Sequence, residues 1–304
     1  MNVRAGNMLV QRNPIAWLLR NFLCLVFLYL SAAVIAEEPR DHGLLWEISR
    51  PGAESSYLFG TIHSEDPGVL ALSASVRQSF SGARRVVLEV MMDMDSMAYA
   101  STAMLMMDGR KLSELLGSML FRRTAALMEA HGVSEVVLEH MKPWAVAINL
   151  AMPAPETGVV LDYSLYQQAM ADGKPVYGLE TIQEQLGIFD GMKIEDQVAL
   201  LKDTVENHDQ IAVMHRTLLD AWKRQDLREM MAINEASLQT GDPQLSHMFQ
   251  QELLIDRNLR MLERMQEHLE AGRAFVAVGA LHLPGEQGLL SLLGQRGYSL
   301  KRVY

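Results

Sequence analysis

The chain has 304 residues, 49% of them hydrophobic and 21% charged, with a formal net charge of −10. That is enough apolar material for an ordinary globular core. The acidic balance argues against nucleic acid, or an anionic membrane surface, as a partner held by charge.

The first acid is Glu37, and three arginines (Arg4, Arg12 and Arg20) precede it. An apolar run over residues 22–36 ends in Val34-Ile35-Ala36. This is the layout of an export signal over residues 1–36, with a mature portion over 37–304. The run is 15 residues long, short of the roughly 20 that a spanning helix needs. Residues 15–19 would lengthen it if the signal stayed on as an anchor, so membrane contact is expected only through an uncleaved signal. Cys24, the single cysteine, lies within this segment. The exported, periplasmic or otherwise extracytoplasmic portion is therefore expected to hold no disulfide, thiolate ligand or cysteine nucleophile.

Residues 43–49 and 56–62 read as two short strands around the turn Arg50-Pro51-Gly52-Ala53-Glu54. Residues 68–81 have helical spacing, and 86–90 form a compact apolar strand with one charge, Glu89. From about 95 to 270 the period is helical, with breaks at Gly109, Gly132, Pro143 and the Pro153–Pro155 pair. A short strand at 174–178 interrupts it and leads to Glu180 and a helix that Thr181 caps, with Glu184 three residues on. A long charged helix over 245–269 is read as having a solvated face. A strand at 275–278, a helix at 286–293 and a strand at 297–303 complete the chain.

Two stretches have the same layout. Tyr57-Leu58-Phe59 runs into Gly60-Thr61-Ile62-His63, then Pro67-Gly68, a helix and a strand. Phe275–Val278 runs into Gly279-Ala280-Leu281-His282, then Pro284-Gly285, a helix and a strand. The expected fold is therefore α/β, its sheet built from two β–Gly-x-x-His–α–β halves with a large helical insertion between them. As bare tetrapeptides the motifs carry little weight, and either histidine could be a hydrogen-bonded loop residue. Their position beyond a strand's carboxyl end is where open α/β sheets build sites. Glycine there permits close backbone approach or a positive φ.

Imidazole is the commonest metal ligand and a frequent general base. Two histidines with carboxylates and no cysteine suit zinc, manganese, cobalt or iron better than copper. Glu89 is a natural partner, since an unpaired charge inside a strand is costly to bury, although a solvent-facing edge position would also explain it. Glu180 at the end of a short strand has the same two readings, as a site carboxylate or as an acid favoured by the helix dipole. His208, His215 and His268 sit among charges and are read as solvated. The methionine cluster at 91, 92, 94, 97, 104, 106 and 107 is read as gap-filling in helical core, rather than as a pliable peptide surface or a soft-metal site.

The ordered set Phe59-Gly60-Thr61-Ile62-His63, Val87-Leu88-Glu89, Gly178-Leu179-Glu180, Asp256-Arg257-Asn258 and Val278-Gly279-Ala280-Leu281-His282 resembles the TraB/GumN family. That family includes the PrgY-type pheromone-shutdown proteins and the Tiki proteases, and the resemblance runs over about residues 42–304. It implies a fold related to erythromycin esterase and ChaN, with a metal-dependent, hydrolase-like site. His63 and His282 would be ligands or proton-transfer groups, and Glu89 a ligand or general base. Glu180 would be a second carboxylate, with Arg257 and Asn258 orienting substrate or stabilising an oxyanion. Val90-Met91-Met92 departs from the more polar positions usual after the first acidic motif. The expected function is an exported metallopeptidase acting on a peptide or small-molecule substrate through a divalent metal. The alternative is a non-catalytic protein that sequesters a peptide, haem or polysaccharide precursor.

Overall fold

The computed structural model describes residues 40–238 and 243–304. The expected export signal lies outside the described residues. Among those described, no helix is long and apolar enough to cross a membrane.

The architecture is mixed α/β around one six-stranded sheet. Its strands are β1 (Leu45–Ser49), β2 (Ser56–Thr61), β3 (Arg85–Val90), β4 (Val176–Glu180), β5 (Ala274–Gly279) and β6 (Ser299–Arg302), in the order β4-β3-β5-β2-β1-β6. β5 pairs in parallel with both β2 and β3, and β3 pairs in parallel with β4. Only β1 runs the other way, antiparallel to β2 and to β6. The continuous apolar run Ala274-Phe275-Val276-Ala277-Val278 is buried throughout, as a parallel strand covered on both faces must be. β2, β3, β4 and β5 therefore end on the same side of the sheet. That brings the segments after both Gly-x-x-His glycines, and the strand-end acids Glu89 and Glu180, to one edge.

β3 lies between β4 and β5, so Glu89 is not on a sheet edge. The helix read over 68–81 is two helices, Pro67–Leu70 and Ala74–Gly82. Each has its own cap: Asp66 accepts from the Gly68 N–H at 2.7 Å and Ser73 from that of Val76 at 3.3 Å. Such side-chain caps compete with helix continuation. The long helix read over 245–269 contains a π-helical turn, Gln251–Ile255, before Asp256–Glu270.

One hydrophobic cluster packs around the sheet. A second, centred on Trp144, Leu112 and Leu201, lies within the helical insertion. The methionine expectation holds for Met106 but fails for Met94, Met97 and Met107, which are exposed. They flank or lie on Met94–Ala103, a helix with no buried residue, so that stretch has no core side for them to fill. His215 and His268 were expected in solvent and are buried. Each rides on the packed face of its helix, which a scatter of charges in the sequence concealed.

The two motif glycines differ physically. A Cβ on Gly60 would stand 2.9 Å from Ala280 Cα and 3.1 Å from Leu283 Cδ2, so the first motif needs glycine where the second motif's turn presses against it. The Gly60 carbonyl also accepts from the buried Trp222 Nε1 at 3.0 Å. Gly279 has φ −51°, and its added Cβ would meet only ordinary contacts at 3.4 Å and beyond. Gly60→Ala should cost about 1–3 kcal/mol through overpacking, and Gly279→Ala about 1 kcal/mol or less. Urea unfolding of the two variants measures the difference, and equal costs would refute this account.

Candidate functional site

At the common strand edge, β3 delivers Glu89 and β4 delivers Glu180, and the register sets Val90 beside Glu180. The helix Asp256–Glu270 crosses above them. Its Arg257 donates from Nη2 to Glu89 Oε1, and from Nε to Glu180 Oε2 at 2.7 Å. Its third nitrogen, Nη1, donates to the Leu253 carbonyl at 3.3 Å within the π turn. Inserting one extra residue per turn rotates the helix that follows, and both Arg257 and Asn258 end up buried facing the sheet. Arg260, one turn on, donates to Glu180 Oε1 at 2.6 Å. Gln185 bridges the two carboxylates, at 3.0 Å to Glu89 Oε1 and 3.3 Å to Glu180 Oε2.

Glu89 Oε2 accepts from the Gly279 backbone N–H at 2.9 Å. Burial works against charge on Glu89. The Arg257 guanidinium, His282, the Gly279 N–H and His63 outweigh it and hold the carboxyl well below the usual range. For Arg257 too, burial opposes the charge, and Glu89 and Glu180 overcome it. A buried guanidinium bound to two carboxylates satisfies all three charges and fixes their geometry.

His282 sits in a 3₁₀ turn just past β5 and is buried. Asn258 Nδ2 donates to the Gln287 carbonyl at 2.8 Å, so Asn258 Oδ1 is the acceptor for His282 Nδ1 at 2.7 Å. The proton therefore sits on Nδ1, and Nε2 carries the lone pair 3.9 Å from Glu89 Oε2. Burial pushes the His282 imidazole down to about 3, Arg257 adds to that push and Glu89 opposes it. His282 is thus neutral at ordinary pH, the form a metal requires.

His63 is placed differently. Its side chain is 53% exposed and its Nδ1 lies 3.2 Å from Asp162 Oδ2. Asp162 is buried at the start of the helix Leu161–Ala171, and its other oxygen accepts from Thr61 Oγ1 at 2.7 Å. Thr61 belongs to the first Gly-x-x-His motif, so the motif's second position steadies the carboxylate that its histidine faces.

The structure thus gathers Glu89, Glu180, Arg257, Asn258 and His282 into one cluster and turns His63 toward Asp162. Glu89 and His282 offer two donor atoms at a separation that two bonds of about 2 Å would span. Asn258 supplies the outer hydrogen bond that metal-bound histidines usually make. Among the described residues, no group of three His, Cys, Asp or Glu side chains is arranged to hold a metal. Asp162, Gln185 and Arg260 are the participants the sequence reading missed. Asp162 looks like any acid in a first helical turn. Arg260 carries the one usable signal, its i+3 spacing from Arg257 on the same helix face. The charged face of this helix is not simply solvated, because Arg264 also reaches back to Glu184 at 2.7 Å. That arginine and the Thr181 cap outweigh the effect of burial and hold Glu184 down to about 2.

The model of the TraB/PrgY/gumN family matches residues 44–302. The chain belongs to that family. Among curated relatives, protein YbaP of Shigella flexneri, which is uncharacterised, is 25% identical over 257 residues, 81% of this chain and 90% of its own length. YbaP of Escherichia coli is equally similar, over the same shares. The metalloprotease TIKI2 of Danio rerio is 24% identical over 86% of this chain, which spans 61% of that relative's length. No solved structure matches the chain. The family match spans both Gly-x-x-His motifs and every residue of the cluster.

Arg257→Met should destabilise the protein by about 3–5 kcal/mol, because it strands two buried carboxylates without their cation. Arg228→Met, at an exposed surface ion pair, should change stability far less. Chemical denaturation of the two variants checks this, and similar small losses would show that Arg257 does not hold the site together.

Proposed function

We propose that this protein is an exported, metal-dependent hydrolase of peptide bonds. The observation that carries the reading is the juxtaposition of two chemically different histidines at one strand edge. His282 is buried, neutral and fixed by Asn258 beside Glu89, while His63 is exposed and backed by a buried aspartate. Family membership and the likeness to a metalloprotease support it, as does the basic and apolar N-terminal segment for export. The two similarly ordered Gly-x-x-His units also support a fold of two related halves, akin to erythromycin esterase and ChaN.

In this reading His282 Nε2 and Glu89 Oε2 would hold a divalent ion, zinc, manganese, cobalt or iron, while His63 stays with Asp162. The ion would supply Lewis acidity toward a carbonyl and a water of lowered pKa. Glu89 is a weak proton acceptor because Arg257 keeps it ionised, and both Glu180 oxygens are already engaged. The better base is His63 Nε2, its ring held beside Asp162 through the Nδ1 side. His63 would take the proton from water and return it to the leaving amine. Arg257 and Asn258 act on their neighbours: Arg257 holds the two acids apart and Asn258 fixes the His282 tautomer.

His63→Ala should lower turnover about 10²–10⁴-fold while metal content persists. His282→Ala should lose the metal together with activity. A peptide-library digest with and without chelator, paired with elemental analysis of each purified variant, tests both. Unchanged metal content in both variants, or cleavage indifferent to chelator, would overturn the metallohydrolase. Intact mass of the protein recovered from the periplasmic fraction should start at Glu37, and retention of residues 1–36 would refute processing there.

A second reading, a non-catalytic protein that sequesters a peptide, haem or polysaccharide precursor, is favoured by one feature. The site carboxylates are locked by guanidinium groups, not held open toward solvent. Ligand binding unaffected by chelator, with no turnover of any peptide, would select it.

A further inference from the structure

Beside His63 lies a cavity of about 290 Å³. A second one, of about 360 Å³, opens between the helices Leu112–Ala130, Pro143–Ala151 and His208–Lys223. They share Met152, Pro153, Ala154, His215 and Arg216 as lining, so together they form one cleft leading from His63 into the helical insertion.

The inner part has a distinct chemistry. Leu127, Leu150 and Ile211 give it apolar walls, and its polar lining is three histidines (His131, His208 and His215) with Arg216 and no acid. This stands out in a chain of net charge −10. His208 Nδ1 is buried there without a hydrogen-bond partner, and such an atom calls for a ligand or another explanation. An apolar pocket with a few converging polar groups is the usual form of a small-ligand site. Here those groups would receive an anion carried on an apolar body.

The cleft is also tied to His63. His215 hydrogen-bonds to the His63 backbone. Glu65, two residues past His63, accepts from the N–H groups of Glu156 (3.1 Å), Thr157 (2.6 Å) and Gly158 (3.1 Å) and from Thr157 Oγ1 (2.8 Å). Successive backbone N–H groups cradling a carboxylate make a firm local anchor. It fastens the segment that follows the Met152–Ala154 wall to the segment that follows the histidine.

We propose that this cleft binds the carboxyl-terminal residue of a peptide substrate. Its apolar side chain lies between Leu127, Leu150 and Ile211, its terminal carboxylate meets His208 and Arg216, and the preceding chain passes His63. The assignment rests on the peptide-hydrolase reading for its orientation and adds to it the class of peptide end recognised.

The test is calorimetric titration of the full mature chain in chelator, which reads binding without metal-dependent turnover. The probes are acetyl-Ala-Ala-Leu, its carboxyl-terminal amide, and octanoate. The free acid should bind at least about tenfold more tightly than the amide, the worth of one charge-assisted contact. Ala130→Trp, an exposed position on the pocket rim, should weaken the free acid by at least about tenfold with an unchanged melting temperature. Arg216→Gln should abolish most of the preference for acid over amide. Equal binding of acid and amide would overturn the site. So would octanoate binding without peptide binding, or an Ala130→Trp variant that folds and binds as the wild type does. A protein that binds the free acid but hydrolyses no peptide with any added metal would sink the hydrolase and leave this site standing. Metal-dependent cleavage with no preference for a free carboxyl end would do the reverse.

Discussion

Arg257 joins two strand-end carboxylates that could not otherwise be buried side by side. Glu89 and Glu180 leave neighbouring parallel strands on the same side of the sheet, so their like charges are forced together by the ladder itself. One guanidinium bridging both, helped by Arg260 and Gln185, turns that repulsion into a fixed frame. The π-helical turn before Asp256 is the backbone's part in this arrangement. It lets one helix aim Arg257 at the acids while Asn258, the next residue, reaches His282. The tautomer and position of His282 thus depend on the same short segment that neutralises the acids.

The two Gly-x-x-His motifs share a pattern and differ in physical environment. In the first, glycine makes room for the second motif's turn, threonine binds a buried aspartate, and the histidine faces solvent. In the second, the glycine N–H binds Glu89 and the histidine is buried against Asn258. A buried, neutral, oriented imidazole suits ligation. An exposed imidazole backed by a carboxylate suits proton transfer. The two motifs thus present different imidazoles because they meet different neighbours. The parallel pairing of β2 with β5 is what brings them together.

The helical insertion contributes more than bulk. Its own hydrophobic cluster makes it a packed body, and two of the helices that wall the inner cleft, Leu112–Ala130 and Pro143–Ala151, share that packing. The Glu65 anchor links this body to the loop carrying His63. Its exposed methionines on and around Met94–Ala103 have no core to fill. Their accumulation in the sequence reflects helix-compatible, flexible side chains, which are tolerated at a surface as well as inside.

The residues alone determined the α/β class, the six strands to within a few positions, the ordered family motifs and the short list of groups able to do chemistry. These were legible because strand periodicity, turn residues and motif order are local properties of the chain. Tertiary structure decided the partners. Asp162 and Gln185 carry no distinctive local pattern and Arg260 only its spacing from Arg257, and their roles arise from contacts 5 to 101 residues apart along the chain. The same holds for His215 and His268, whose burial follows from helix orientation. The two motif histidines, His63 and His282, were legible as an equivalent pair. Only the fold showed them to be unequal, because the protonation and reach of an imidazole are set by what packs against it.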